Sequence, residues 1–224
     1  MTNEWDKPVI VFLSSSATNI AYEFARKSPE LEVFLVLDRK IPLDVEEEML
    51  GNYYVHFFDK DKIYSKNKDQ YFDILAMQLL EYEPDLIICS NYYKLLPQSF
   101  IDFVNFRNSL TKIINIHHAD LREVDEKTQE MLYTGLNAWK KEFKDTNSFL
   151  STIHYIEDYK MDEGEHIAYS QPTTFEEVQE IGLIQSFEEL ESLRVSNVLL
   201  HYHEQSKVVE ILVDVVKEIL ETMK

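Results

Sequence analysis

Short apolar runs alternate along the first half of the chain with segments whose apolar residues recur at helical spacing. Runs of this kind, bounded by polar or turn residues, are typical of buried strands, and apolar residues three or four apart are typical of helices. Strands are predicted over residues 8–13, 31–37, 54–58, 85–90 and 113–116, and helices over residues 20–27, 71–82 and 97–103. This alternation indicates an α/β fold with a doubly wound, mostly parallel, Rossmann-like sheet flanked by helices.

The pattern changes after residue 120. It predicts a helix over residues 133–143, strands over 149–156 and 166–171, and an acidic loop over 157–165. Ser186 and Glu189 then form a capping-box pattern, and no Pro or Gly follows. The helical periodicity there predicts one long helix, or two with a break near His203. We therefore expect an α/β domain over residues 1–185 and a C-terminal helical extension over 186–224 that packs on the same domain.

Composition narrows the class of partner. The chain has 224 residues, 45% of them hydrophobic, and a formal net charge of −19. Such a charge disfavours nucleic-acid phosphates and anionic membrane surfaces as the main partner. No apolar run approaches the roughly 18 residues that a membrane span needs, and the polar, acidic N-terminal segment does not resemble a signal peptide. We expect a soluble, cytoplasmic protein that binds neither nucleic acid nor membrane.

The chain has a single cysteine, Cys89, which lies in an apolar run. One cysteine excludes an intramolecular disulfide and most cysteine-based zinc sites. We expect a buried structural thiol and no metal site.

The strand predicted at residues 113–116 ends in a group of polar side chains. Asn115 and His117 are two residues apart and therefore share one face of the strand, and His118 and Asp120 follow. Ligands of open α/β sheets bind at the carboxyl ends of the strands. An amide donor beside an imidazole suits a reaction that develops an oxyanion and moves a proton. The same residues are equally compatible with a polar strand end whose groups are satisfied within the fold.

A second candidate site follows the first predicted strand. The turn over residues 14–19 contains Ser15, Ser16, Thr18 and Asn19 and leads into a helix. Backbone N–H groups and hydroxyls at such a helix start can bind an anion such as phosphate. The alternative is a simple N-cap of the helix. The turn has no glycine, which restricts close approach of its backbone to a ligand.

Four segments together resemble one family. Asn115-Ile116-His117 after a strand, the segment 84–97, Thr18-Asn19 in the first turn, and the strand 151–156 followed by an Asp-x-Gly loop at 162–164 occur in the order found in the folate-dependent formyltransferases. The resemblance spans roughly residues 8 to 172. That family transfers a formyl group from 10-formyltetrahydrofolate to an amine, and glycinamide ribonucleotide formyltransferase is a member.

The resemblance implies a role for each polar residue of the proposed catalytic site. Asn115 and His117 would donate hydrogen bonds to the oxyanion, and Asp162 would orient His117 and help to move the proton that the amine loses. From the residues alone, a turn residue before Gly164 is the favoured interpretation of Asp162. The resemblance further implies that reduced folate contacts Tyr92, Tyr93, Lys94 and Leu96, and that the turn with Ser15, Ser16, Thr18 and Asn19 binds the amine substrate.

Departures from the family pattern bear on the acceptor. His118 and Ala119 stand where the family usually has Pro and Ser. Ser15 and Ala17 replace glycines of the phosphate loop, and Asp69 falls where the ribonucleotide enzyme has a basic residue. The first expectation is a small phosphorylated, sugar-containing amine of the glycinamide ribonucleotide type, acting in purine biosynthesis.

Other interpretations stay open on the sequence. The acceptor is alternatively an amino-sugar nucleotide, or the chain is a noncatalytic folate- or nucleotide-binding member of the same fold. An unrelated flavodoxin-like domain would give Asp162 no role. The expected partners are a small-molecule amine and a reduced folate. The sequence leaves open whether the protein forms a homodimer.

Overall fold

A seven-stranded sheet forms the centre of the protein. A computed structural model describes residues 7–15, 19–38, 54–57, 63–158 and 162–223, with the backbone alone at 19 and 54–57. The strands are β1 (Val9–Ser14), β2 (Glu32–Leu37), β3 (Tyr54–Phe57), β4 (Leu86–Ser90), β5 (Lys112–His117), β6 (Ser148–Phe149), β7 (Thr152–Tyr155), β8 (His166–Tyr169) and β9 (Thr173–Thr174). The order in the large sheet is β3-β2-β1-β4-β5-β7-β8, while β6 and β9 form a separate antiparallel pair.

Strands β1 to β5 are parallel, as the alternation of strands and helices predicts. Ile10 is opposite Val33 on one side and Leu86 on the other. The chain order therefore reverses between β1 and β4, and a crevice at such a switch point is the usual ligand site of an open α/β sheet. Strand β7 runs antiparallel to β5 and β8 and brings His154 opposite Asn115.

The helices cover both faces of the sheet. They are α1 (Asn19–Lys27), α2 (Lys68–Leu80), α3 (Gln98–Arg107), α4 (Ala138–Thr146), α5 (Phe175–Glu180), α6 (Leu193–His203) and α7 (Val209–Thr222). Alternate residues of β1 point to opposite faces, as they do in any strand. Ile10 and Phe12 belong to the core cluster beneath α1 and α7, and Val11 and Leu13 belong to the cluster beneath α2 and α3.

The predicted α/β class is confirmed. Several element ends differ from the predictions by a few residues, as in the helix predicted over 97–103, which is α3 (Gln98–Arg107), and two elements differ more. Residues 149–156 contribute to two strands in different sheets, because pairing stops between Phe149 and Thr152, where the Ser151 N–H donates to the Ser170 hydroxyl at 2.9 Å. The helix predicted from residue 133 begins at Ala138, because Gly135 and Asn137 have φ of 77° and 63°. These left-handed values cannot continue into an α-helix.

The C-terminal segment follows the second of its two predicted forms. The capping box of Ser186 and Glu189 opens a 3₁₀ turn at Phe187–Glu191 that precedes α6. A π-turn, Glu204–Val208, then joins α6 to α7 directly after His203. Helix α7 contributes to the core cluster that contains β1 and α1. A division of the chain at residue 185 stays a prediction.

The structure also bears on two further features, the single cysteine and the length and polarity of the helices. Cys89 is buried, and its burial raises the pKa of the thiol to about 12. Among the described residues, no helix is long and apolar enough to cross a membrane.

Candidate active site

A cleft of about 620 Å³ opens at the carboxyl ends of β4 and β5. Asn115 and His117 on β5, Asp162, and the turn that follows β4 line it. The turn before α4 and the first residues of α6 close the other side. The structure therefore brings the three residues proposed for catalysis into one cleft with the segment proposed for folate.

His117 and Asp162 form the centre of the site. His117 Nδ1 lies 3.2 Å from Asp162 Oδ1, and both side chains are buried. His117 Nε2 donates to the backbone carbonyl of Tyr133 at 2.8 Å. Both groups that face the imidazole are acceptors, so both contacts can be hydrogen bonds only when both ring nitrogens carry protons.

Asp162 is held in an unusual backbone conformation. Its φ of 61° lies in the left-handed region, and the N–H of Gly135 donates to Asp162 Oδ2 at 3.3 Å. Burial would raise the pKa of this carboxyl, but the hydrogen bond and the charge of the adjacent His117 outweigh burial and lower the pKa well below its usual range. Asp162 is therefore ionised at neutral pH. Backbone strain of this kind is concentrated at functional sites.

Asn115 presents a half-buried amide beside this pair. Its Nδ2 lies 3.1 Å from His154 Nε2, and His154 Nδ1 lies 3.0 Å from the carbonyl of Tyr155. If Nδ1 donates to that carbonyl, Nε2 accepts from the Asn115 amide. The amide has two N–H groups, so the second remains for a ligand in the cleft. No sequence motif pointed to His154, although its place on β7 puts it opposite Asn115.

The His118 position, which departs from the family pattern, belongs to a buried polar network. His118 Nδ1 lies 2.8 Å from the Ser151 hydroxyl, and His118 Nε2 lies 3.2 Å from Glu204 Oε1. Asn91 Nδ2 donates to the same Glu204 oxygen at 2.7 Å. His203 lies 2.9 Å from the Ser151 hydroxyl, and burial lowers its pKa well below the usual value. The network ties β5 to the π-turn, and no local sequence signal pointed to Glu204.

The four residues proposed for folate, Tyr92, Tyr93, Lys94 and Leu96, all line the cleft. The Lys94 ammonium pairs with the buried Asp38 and lies 5.1 Å from the centre of the Tyr92 ring. Burial lowers the pKa of Lys94 to about 8. Tyr93 is half exposed, whereas Leu96 also packs in the core against α3. Lys94 is thus both a cleft residue and part of the scaffold of the turn.

The residues proposed for substrate binding are less fully described. Ser15 is buried, its hydroxyl donates to Asp38 Oδ2 at 3.0 Å, and that hydroxyl accepts from the N–H of Tyr93 at 3.1 Å. These two hydrogen bonds of Ser15 link the first turn to the folate turn. Ser16 and Thr18 lie outside the described residues, as does the side chain of Asn19. Asp69 lies in the first turn of α2.

No metal cluster is present in the part of the chain that the structure describes: no three His, Cys, Asp or Glu side chains there are grouped to hold an ion. Asn115, His117 and Asp162 supply the acid–base groups of the cleft. An amide N–H, an imidazole with two acceptor partners and an ionised carboxylate can stabilise an oxyanion and move one proton.

Comparisons with known proteins agree with this fold. The sequence model described as formyl transferase matches residues 7–199. No curated protein sequence matched the chain closely enough to count as a relative.

Solved structures are similar at low identity. The chain has a TM-score of 0.62 and 20% identity to phosphoribosylglycinamide formyltransferase from Bacillus halodurans, over 91% of this chain and 95% of that one. With the enzyme of the same name from Streptococcus pneumoniae, the TM-score is 0.63 and the identity 18%, over 96% of this chain and 99% of that one. With the enzyme from Coxiella burnetii, the TM-score is 0.60 and the identity 19%, over 93% of this chain and 86% of that one. At such identities the likeness shows the fold.

Proposed function

This chain belongs to the formyl transferase family, and from that premise we propose that it transfers a formyl group from 10-formyltetrahydrofolate to a primary amine. The acceptor we propose is a small phosphorylated, sugar-containing molecule. The glycinamide ribonucleotide type is the first candidate, because the similar solved structures have that name. This reaction would place the protein in purine biosynthesis.

The observation that carries the proposal is the buried His117–Asp162 pair beside the Asn115 amide. The amine nitrogen attacks the formyl carbon, a C–N bond forms, and the carbonyl electrons move to the formyl oxygen. The Asn115 amide donates to that oxyanion, and the protonated His117, whose two N–H groups are bonded to Asp162 and the Tyr133 carbonyl, stabilises it by its positive charge. Removal of one such donor commonly costs about 2.7–4 kcal/mol of barrier. Asp162 holds His117 and aids transfer of the amine proton to N10 of the folate, and the bond from N10 to the formyl carbon breaks.

The donor would lie along the turn with Tyr92, Tyr93, Lys94 and Leu96. These residues line the same cleft as Asn115 and His117, so a bound folate there would present its formyl group to them. The acceptor would use the first turn, with Ser15, Ser16, Thr18 and Asn19, and the start of α1. A helix start offers free N–H groups and a positive dipole end to a phosphate.

A second acceptor is favoured by one contact. The Ser15 hydroxyl donates to the buried carboxylate of Asp38 at 3.0 Å and accepts from the N–H of Tyr93, so it is engaged within the protein rather than available to a phosphate. An amino-sugar nucleotide has a longer phosphate bridge, and its phosphates can lie outside this turn. We keep it as the second candidate.

The test is incubation of the protein with 10-formyltetrahydrofolate and a panel of amines that includes glycinamide ribonucleotide and an amino-sugar nucleotide. The expected result is release of tetrahydrofolate with one amine and a formylated product by mass spectrometry. A matched Asn115→Ala variant should lose most of that rate. Folate binding by calorimetry without transfer to any amine would instead indicate a noncatalytic, folate-binding member.

A further inference from the structure

The turn that precedes α4 contacts both members of the His117–Asp162 pair. The carbonyl of Tyr133 accepts from His117 Nε2 at 2.8 Å, and the N–H of Gly135 donates to Asp162 Oδ2 at 3.3 Å. The two contacts come from backbone groups two residues apart. One short turn therefore fixes the imidazole from one side and the carboxylate from another.

We propose that residues 133–135 are a positioning element for the reaction: the Tyr133 carbonyl keeps a proton on His117 Nε2 and fixes the ring, while the Gly135 N–H fixes the carboxylate of Asp162. This inference rests on the proposed function for its effect on rate. Its structural content, a protonated and shielded Nε2, is independent of the substrate. Neither residue is a catalytic residue, because both act through the pair.

The turn is built to hold that carbonyl still. The Tyr133 ring is 4% exposed and packs with Ala119 and Ala138. The Lys141 ammonium donates to the carbonyl of Leu132 at 3.0 Å and lies 5.4 Å from the centre of the Tyr133 ring. Ala119 is two residues from His117, so the ring of Tyr133 packs against the end of the strand that carries the imidazole.

The chemistry needs this second acceptor. If Asp162 were the only partner, it would hold a proton on Nδ1 and leave the state of Nε2 undetermined. A carbonyl oxygen can only accept, so an imidazole nitrogen bonded to it must carry a proton. Hydrogen bonds of this kind around a reacting imidazole fix its orientation, and misplacement of a reacting group by about 1 Å can cost on the order of a hundredfold in rate.

Gly135 gives the turn its shape. Its φ is 77°, a conformation that side chains with a Cβ rarely adopt. A Cβ added there would meet no atom within 4 Å. A Gly135→Ala change therefore tests the backbone conformation of the turn without a steric clash.

The experiment compares three variants of the full chain with the wild type. Tyr133→Gly releases the carbonyl by removing the ring, and Gly135→Ala alters the turn with the ring intact. Tyr133→Phe is the matched control, since it loses only the 3.5 Å contact from the Tyr133 hydroxyl to Asp145. Thermal melting identifies any variant that fails to fold.

The first readout is ¹⁵N NMR of histidine-labelled protein without ligand, with the His117 signals assigned by their loss in His117→Gln. In wild type and Tyr133→Phe, we expect a protonated Nε2 whose proton exchanges slowly with water. In Tyr133→Gly and Gly135→Ala that exchange should be faster. The second readout is transfer: kcat should fall by about tenfold to a hundredfold in Tyr133→Gly, with little change in either KM.

The outcomes separate the two proposals. An unprotonated Nε2 in the wild type would overturn the positioning element, as would a Tyr133→Gly protein whose exchange rate and kcat match those of Tyr133→Phe. If Gly135→Ala folds and leaves both readouts unchanged, the role of Gly135 is overturned. A protected Nε2 in a protein that transfers no formyl group would leave the positioning element standing and remove the proposed function.

Discussion

Gly164 lies against the backbone carbonyl of Tyr155 so closely that a Cβ at Gly164 would be 1.7 Å from the carbonyl oxygen. Such a distance is far inside van der Waals contact, and the obstructing atoms are backbone rather than a mobile side chain. The glycine of the Asp-x-Gly segment is therefore required for the loop to pass over β7. Asp162 precedes Gly164 by two residues, so the position of its carboxylate depends on this path of the loop backbone.

Gly164→Ala should displace the loop and with it Asp162. We expect a loss of stability of about 1–3 kcal/mol from the forced backbone shift, together with a clear fall in kcat. Gly182→Ala is the matched control, because Gly182 has φ of 74° but no atom within 4 Å of an added Cβ. It should lose some stability and keep its kcat. Melting curves and the transfer assay measure both, and equal kcat in the two variants would contradict the prediction.

Asp162→Asn should remove most of the activity. The variant keeps the shape of the side chain but loses the charge that faces His117 at 3.2 Å. We expect kcat to fall by about a hundredfold or more, with the KM for folate little changed. Asp145→Asn, at an exposed carboxylate on α4, serves as the control. A kcat within a few fold of wild type would show that Asp162 only shapes the loop.

Asp162 also predicts a stability change in acid. Its pKa is lowered from the usual 3.8 in the folded protein. A lowered folded pKa gives stability that is present above the unfolded pKa and lost as the pH falls toward the folded one. The wild type should lose stability more steeply than Asp162→Asn below about pH 4. Chemical unfolding across that range measures the difference, and parallel curves would contradict the assignment.

The sequence revealed the parts of the site that depend on strand periodicity. Asn115 and His117 are two apart at the end of an apolar run, and that pattern alone places both at the carboxyl edge of the sheet. Asp162 had no such signal, because a left-handed residue in a loop resembles any turn residue. Only the resemblance to the family singled it out, through Gly164.

Contacts between distant segments could not be predicted. Glu204 lies in a helical run like many other glutamates, and its contact with His118 depends on how a π-turn packs against β5. The start of α4 was predicted wrongly for a local reason. Gly135 and Asn137 adopt left-handed conformations, which the spacing of apolar residues does not reveal. Tertiary packing decided the first case, and local backbone conformation decided the second.

The buried Glu142 should make the protein lose stability as the pH rises from mildly acidic to neutral. It is 5% exposed and accepts from the N–H of Asp120 at 2.9 Å, and burial raises its pKa from 4.5 to about 7. A raised folded pKa gives stability that is full below the unfolded pKa and lost as pH rises through the folded value. Wild type should therefore lose up to about 3 kcal/mol between pH 4.5 and 8 through this group.

The variant that tests Glu142 is Glu142→Gln, which does not ionise. Its free energy of unfolding should vary less with pH over the same range than that of the wild type. Glu123→Gln, at an exposed position on the segment after Asp120, should follow the wild-type curve. Urea unfolding at closely spaced pH values measures all three, and a Glu142→Gln curve parallel to wild type would contradict the prediction.

Substitution of Lys94 should cause a large loss of stability, and a second substitution, at Asp38, should offset it. Its ammonium is the ion-pair partner of Asp38, whose side chain is fully buried, and it lies 5.3 Å from the ring centres of Tyr64 and Tyr71. Lys94→Met would leave a carboxylate buried without that partner. Breaking a buried pair in this way costs about 3–5 kcal/mol.

In Lys94→Met with Asp38→Asn, the uncompensated charge is gone and a neutral amide remains beside the Ser15 hydroxyl. The double variant should therefore recover a large part of the lost stability, since buried pairs replaced as a unit are often near neutral. Calorimetric folate titration adds a functional readout. Because Ser15 also accepts from the Tyr93 N–H, the single variant should loosen the folate turn and weaken folate binding. The double variant should bind folate more tightly than the single variant but less tightly than the wild type, since the contact proposed between Lys94 and folate is still lost. A double variant no more stable than Lys94→Met would show that the ammonium stabilises the turn through the aromatic rings rather than through Asp38.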